Sequence, residues 1–279
     1  MTTYSDWESQ QDHAAVTVDG HDLDVAYYDA GEGEPVVFVH GIPTNSFLWR
    51  DVVGPIAEER RVVVPDMLGY GNASMTDSFD RSIRAQERML EALVSGLDLG
   101  TVSLVGHDLG GGVALRYASH APDLVDQLVL SNAVAYDSWP VDTITELGLP
   151  ETAEDRSVED IQQLLEKLFR NTLERDDPDE EFLQGMKAPW ASEAGVTSLV
   201  RDAVATNTNH TTEIDPGEIT AETLLLWGAD DDLQPIEYAR RLHDDIPDST
   251  LTGLDDATHW VMVDRPETYR EELAAFLVR

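Results

Sequence analysis

Two periods of apolar residues run through this chain. Short continuous apolar runs fall at PVVFVHG (35–41), RVVVPDM (61–67), TVSLVGHD (101–108), DQLVLSNA (126–133) and ETLLLWGA (222–229). Runs of that length, rich in β-branched residues, predict strands buried on both faces. A further strand is expected near 249–254. AVTVDGHDLDVAYYDAG (15–31) alternates around Asp19-Gly20 and predicts a hairpin. Helical spacing takes over from Phe47 to about Glu59, through 81–98 around Ala85, Met89, Leu90 and Leu93, and in GGGVALRYASHA (110–121). Helices are also expected from Pro235 and from Pro266. Strands alternating with helices predict an α/β fold, an eight-stranded, mostly parallel sheet flanked by helices.

Residues 134–218 break the rhythm. SVEDIQQLLEKLFRNTLE (157–174) and DPDEEFLQGM (177–186) are amphipathic and helical, and no buried strand accompanies them. Ser157, followed by Glu159 and Asp160, is a helix start. The segment falls between two sheet strands. It is therefore expected as a helical cap over the carboxyl edge of the sheet, where open α/β sheets bind ligands. Residues 1–133 and 219–279 would form the core domain.

Charge narrows the class. The chain has 279 residues, with 55 acidic against 18 basic side chains and a formal net charge of −37. Its only lysines are Lys167 and Lys187. The acids are spread along the whole chain, which argues against an acidic tail and against nucleic acid as a partner. Such a surface is expected of a cytoplasmic protein of a halophile, because high salt screens its self-repulsion. There is no cysteine, no apolar run long enough to cross a membrane, and no apolar stretch near Met1 of the kind a signal peptide needs.

The chemistry centres on VGHDLGG (105–111). The glycines match the frame G-x-S-x-G, in which α/β-hydrolases hold a serine on a tight strand-to-helix turn, but Asp108 stands where the serine would be. In that fold an acid and then a histidine follow the nucleophile along the chain. Asp230, Asp231 and Asp232 lie after the strand LLLWGA, and His259 is the only histidine beyond His243. An oxyanion hole needs two aimed N–H donors. The amide of Leu109, next after the nucleophile, and that of Ile42 in HGIPT are the candidates. The histidines form no metal-like cluster, and the glycines at 110–112 open a helix after the elbow instead of a dinucleotide loop. No metal or organic cofactor is expected.

The motifs VHGIPTNSFLWRDVV, VPDMLGYGNAS, VGHDLGGGVALRYA, LLLWGADDDLQP and ATHWVMVDRPE together resemble the haloalkane dehalogenase and epoxide hydrolase branch of the α/β-hydrolase superfamily. The likeness covers essentially the whole chain outside the cap. HGIPT with SFLWR, and KAPW at 187–190, look closest to the dehalogenases. The resemblance implies Asp108 as nucleophile and His259 as base. The family's spacing, three residues after Gly228 and four before Pro235, points to Asp231 as the acid. A carboxylate attacking an ester would form a high-energy anhydride, whereas on a saturated carbon it forms a stable alkyl ester. The implied reaction is thus cleavage of a carbon–halogen bond in a small apolar substrate, followed by hydrolysis with water. Opening of an epoxide, or an esterase-like or mainly ligand-binding role, is the alternative.

The pattern departs from the family at the leaving group. Ile42 and Leu109 occupy positions where dehalogenases commonly carry donor side chains for the halide. Trp139, Trp190 and Trp260 are the remaining candidates for an indole donor, each equally readable as packing. Epoxide hydrolases use cap tyrosines, and Tyr136 is the only tyrosine in 134–218, with His210 as a possible substitute donor. A monomer or homodimer is expected.

Overall fold

The computed structural model describes residues 2–149, 156–174, 179–205 and 207–278. One sheet organises them. Its strands are β1 (Gln11–Val18), β2 (His21–Ala30), β3 (Pro35–Val39), β4 (Arg61–Pro65), β5 (Val102–His107), β6 (Val125–Ser131), β7 (Glu222–Gly228) and β8 (Ser249–Leu254). Their order is β1-β2-β4-β3-β5-β6-β7-β8. The first two strands pair antiparallel with each other, and β2 pairs antiparallel with β4; every later pairing is parallel. The apolar runs behave as a doubly covered sheet requires: Val36 to Val39, Val62 to Val64 and Leu128 to Leu130 are wholly buried. Asp19 and Gly20 both take positive φ (51° and 85°) in the β1–β2 turn, the conformation of a two-residue hairpin loop.

Helices cover both faces. Among the described residues α1 (Tyr4–Glu8), α2 (Val53–Ala57), α3 (Ile83–Gly96) and α4 (Leu109–His120) precede β6. Between β6 and β7 lie α5 (Asp142–Gly148), α6 (Val158–Asn171), α7 (Glu180–Lys187), α8 (Glu193–Val204) and α9 (Asn209–Thr212), with no strand among the described residues there. Then α10 (Ile236–Asp245) joins β7 to β8, and α11 (Val261–Asp264) and α12 (Pro266–Leu277) follow. None of these helices is long and apolar enough to cross a membrane.

Helix α3 buries Ala85, Met89, Leu90 and Leu93, the face its spacing predicts. Ser157 caps α6, and the Asp160 side chain reaches back to its backbone in a capping box. The stretch from Phe47 to Glu59 departs from expectation. It forms a single 3-10 turn (Ser46–Trp49) and then the short α2, because Pro55 has no N–H to continue an α-helical ladder across the break. The first two residues of the helix expected at 177–186 lie outside the described residues; the rest of that stretch is α7, capped by Asp179.

The helical segment packs onto the carboxyl ends of the parallel strands. Trp190 donates its indole N–H to the carbonyl of Pro43 (3.0 Å), and Asn45 donates to the carbonyl of Gly185 (3.0 Å). A buried ion pair adds a polar tie. Arg81, ahead of α3, donates to Asp202 Oδ1 (3.0 Å) and to the carbonyl of Ser198 (2.9 Å), both in α8.

Candidate functional site

Strand β5 ends at His107 and α4 begins at Leu109, so Asp108 alone makes the turn. Its backbone sits at φ 52°, ψ −121°, a region that costs a non-glycine residue of order 1–3 kcal/mol and persists only where the surroundings enforce it. Here they do: the Asp108 carbonyl accepts from the amides of Gly111 and Val134, both at 3.0 Å. Glycine is required on either side of the carboxylate. A Cβ on Gly106 would run into the backbone of Gly110 and Gly111, and one on Gly41 would collide with the Asp108 side chain itself.

The carboxylate is buried and its two oxygens have different surroundings. Oδ1 accepts from the amide of Ile42 at 2.8 Å. The amide of Leu109 also hydrogen-bonds the carboxylate. Oδ2 lies 3.7 Å from Nε2 of His259. Burial pushes the Asp108 carboxyl up to about 6, against the pull of His259 and of the two amides.

His259 stands on the loop after β8. Its Nδ1 is 2.8 Å from Asp231 Oδ2, on the loop after β7. With Nδ1–H given to Asp231, Nε2 is directed to Asp108. Burial works against charge on His259, but Asp231 and then Asp108 outweigh it, and its pKa is raised. Burial likewise opposes ionisation of Asp231; the charge and hydrogen bond of His259, with those of Asn132 and the Gln234 amide, overcome this and hold it below the usual carboxylate value. Adjacent aspartates do not share these contacts: Asp230 and Asp232 make no contact with His259 among the described residues.

Three supporting residues were not singled out by sequence. Asn132, at positive φ (43°) just past β6, donates to Asp231 Oδ2 (2.7 Å) and accepts from the amide of Gly228 (3.0 Å). An Asn directly after a buried strand is the available signal, since Asn tolerates that conformation. His107 gives Nδ1 to the carbonyl of Ser131 (3.0 Å) and packs its ring 4.7 Å from that of His259. Burial, then the charge of His259, presses the His107 pKa well down, so it stays neutral. Asp264 accepts from the Thr258 amide (2.9 Å) and from the Glu174 amide (3.0 Å), tying the histidine loop to the end of α6.

Asp108 and His259 open onto one cavity of about 380 Å³ including its mouth. Ile42, Pro43 and Gln234 line it from the core, and Trp139, Ile144 and Leu168 from the helical segment. Among the described residues no Lys or Arg lines it.

The candidate donors separate sharply. Trp260 lines the cavity, but its indole N–H is given to Thr172 Oγ1 at 2.7 Å. Trp190 is not a lining residue, and its N–H is held by Pro43. Tyr136 is directed away, with its hydroxyl on Asp245 at 2.6 Å. His210 packs outside the cavity, 3.3 Å from the Asn207 side chain. Trp139 alone of these lines the cavity with an indole N–H that makes no hydrogen bond among the described residues.

A family model described as the alpha/beta hydrolase fold matches residues 34–266. The chain belongs to the α/β-hydrolase family. As an α/β-hydrolase it is 28% identical over 253 residues to 2-hydroxy-6-oxo-2,4-heptadienoate hydrolase of Pseudomonas putida, a match that covers 87% of this chain and 88% of that protein. It is also 28% identical over 254 residues to haloalkane dehalogenase 2 of Mycobacterium tuberculosis, covering 87% of each. Among solved structures, an α/β-hydrolase fold protein of Burkholderia ambifaria superposes with a TM-score of 0.83 at 25% identity, covering 96% of this chain and 100% of that one. These relatives name different substrates, so the reaction must be argued from the site.

Proposed function

We propose that this α/β-hydrolase displaces halide from a small apolar halogenated alkane, with Asp108 as nucleophile, His259 as base and Asp231 as the acid that orients it. The observation that carries this reading is the division of the Asp108 carboxylate, Oδ1 held by the Ile42 amide and Oδ2 placed beside His259 Nε2, with the Leu109 amide also on the carboxylate.

In the first step a lone pair of Oδ2 forms a bond to the substrate carbon as the carbon–halogen bond breaks and its electron pair leaves with the halide. Trp139 offers the unused N–H that would meet this leaving charge. In the second step Nε2 takes a proton from water, whose oxygen attacks Cγ of the new ester. Oδ1, now the ester carbonyl oxygen, takes up the negative charge between the Ile42 and Leu109 amides. The tetrahedral centre then expels the alkoxide, which recovers the proton from His259. The regenerated acid ionises, so each cycle consumes one water and releases one alcohol, one halide and one proton.

Alkylation also prepares the base. It removes the Asp108 charge that helps raise the His259 pKa, so the imidazole becomes easier to deprotonate just when a neutral base is needed. Among the described residues no tyrosine lines the cavity, which favours halide displacement over epoxide opening.

The test is a panel of brominated alkanes, epoxides and p-nitrophenyl esters in high salt. Release of bromide and protons in equal amounts is expected. Diol from epoxides without bromide from any alkane would replace this reading, and ester turnover surviving in Asp108→Ala would reject it.

A further inference from the structure

Two polar side chains of the cavity lining, Thr143 and Gln234, have no role in the chemistry above, and only Gln234 is buried. Gln234 is 1% exposed, lines the cavity, and lies three positions beyond Asp231. Its backbone is fixed at both ends: the carbonyl accepts from the indole of Trp227 at 2.7 Å, and the amide contributes to holding Asp231. Its carboxamide is not. Oε1 is enclosed and has no hydrogen-bond partner, and the amide nitrogen makes no hydrogen bond among the described residues. Leaving a buried amide unpaired is unfavourable, a cost that a leucine of similar volume would avoid. A complementary ligand group would recover that cost.

We propose that Gln234 recognises a neutral hydroxyl group on the substrate, remote from the carbon that Asp108 attacks; this rests on the halide-displacement reading and specifies its substrate as a haloalcohol. The chemistry of the cavity selects among polar groups. An anionic group would face Asp108, with no Lys or Arg among the described lining residues to offset it. A cationic group would be drawn to the Asp108 carboxylate and block it. A carboxamide both donates and accepts, and a hydroxyl is the small neutral group that answers both functions in a cavity this narrow. Its neighbours in the lining, Leu233 and Trp139 among them, are largely apolar.

Two measurements test this. The first compares bromide release from 4-bromobutan-1-ol and 1-bromobutane. The alcohol should be favoured in kcat/KM by about tenfold or more, mostly through KM, as expected where a site is built to hydrogen-bond a substrate hydroxyl. Gln234→Leu, and Gln234→Met should the leucine variant fold poorly, should remove that preference. Equal use of both bromides by the unaltered protein, or a preference that survives in both variants, overturns the proposal.

The second needs no turnover. On an Asp108→Asn background, calorimetric titration compares pentan-1-ol with its isomer 1-methoxybutane, which accepts hydrogen bonds but cannot donate one. Pentan-1-ol should bind at least about fivefold more tightly, and Gln234→Leu should equalise the two. If no bromide is released from any substrate but this difference holds, the reaction reading fails and the hydroxyl site stands. Equal binding of the isomers removes the hydroxyl site and leaves the reaction reading intact.

Discussion

Nε2 of His259 lies 3.7 Å from Oδ2 of Asp108, while Nδ1 of the same ring is 2.8 Å from Asp231. The histidine is anchored by one carboxylate and only approached by the other. That spacing suits a base that acts on what becomes of Asp108 and has no part in its first attack.

Removing the base should therefore stop the reaction half-way. His259→Gln is expected to release one equivalent of bromide and then stall, with Asp108 carrying the alkyl group as a mass increase on its peptide. Asp108→Ala should show no adduct. Asp231→Asn should turn over slowly, since it disturbs the tautomer and the imidazolium but leaves the nucleophile intact. An adduct on a serine such as Ser103 or Ser131, or normal turnover by His259→Gln, would refute this division of labour.

Attack requires the ionised form of Asp108, whose pKa stands at about 6. The halide burst should fall as pH drops through that value, approaching a tenfold loss per unit well below it. The midpoint should lie higher in His259→Gln, because the positive charge of His259 is one of the influences that lower it. Rapid-quench measurement of bromide between pH 4.5 and 8 checks both; a midpoint near 4 would mean that the carboxylate is not desolvated as described.

The same burial has a stability signature. A carboxyl whose pKa is raised from 3.8 to about 6 on folding is penalised once ionised, by up to about 3 kcal/mol for a shift of about two units. This group's contribution is most favourable below pH 3.8 and declines as pH rises to about 6. Asp108→Asn should therefore gain stability over the unaltered protein across that window and hold the gain above it. Denaturant titrations at pH 4 and pH 8 measure the difference; a smaller gain at the higher pH would contradict the sign.

Leaving-group demand distinguishes Trp139 from its neighbours. Chloride departs less readily than iodide, so the loss on Trp139→Phe should be about tenfold or more in adduct formation from a chloroalkane and clearly less from the matching iodoalkane. Trp190→Phe should show no such graded effect, because that indole is already spent on Pro43.

Much of this was written in the chain. Seven of the eight strands follow from continuous apolar runs and one Asp-Gly turn, and the glycine frame around Asp108 marks the elbow through steric need alone. The order of Asp108, Asp231 and His259 carried over to a buried constellation. What stayed illegible was the use of each indole. Trp190 meets Pro43 across 147 positions and Trp260 meets Thr172 across 88, so no local pattern could say that Trp139 would be left unpaired. The broken helix after Phe47 was legible in principle through Pro55, whose effect the apolar spacing masked.

Salt should govern the whole molecule. With a net charge of −37, folded structure and activity are expected to decline below roughly 0.5 M salt, as the Debye length grows from about 4 Å to about 10 Å at 0.1 M and distant carboxylates begin to repel. Thermal melts in stepwise dilution test this; an unchanged Tm in dilute buffer would sink it.

The pairing of Arg81 with Asp202 bears on how molecules reach Asp108. Both side chains are buried; Arg81 meets Asp202 Oδ1, and Oδ2 has no hydrogen-bond partner among the described residues. Swinging α8 away from the core would part Arg81 from Asp202 and from the Ser198 carbonyl. These contacts hold α8 to the segment ahead of α3. Where the cavity meets solvent its described lining is Val141, Thr143, Leu168 and Leu233, none of them buried. With α8 held, the expected sorting is by cross-section, straight-chain bromides reacting faster than branched ones.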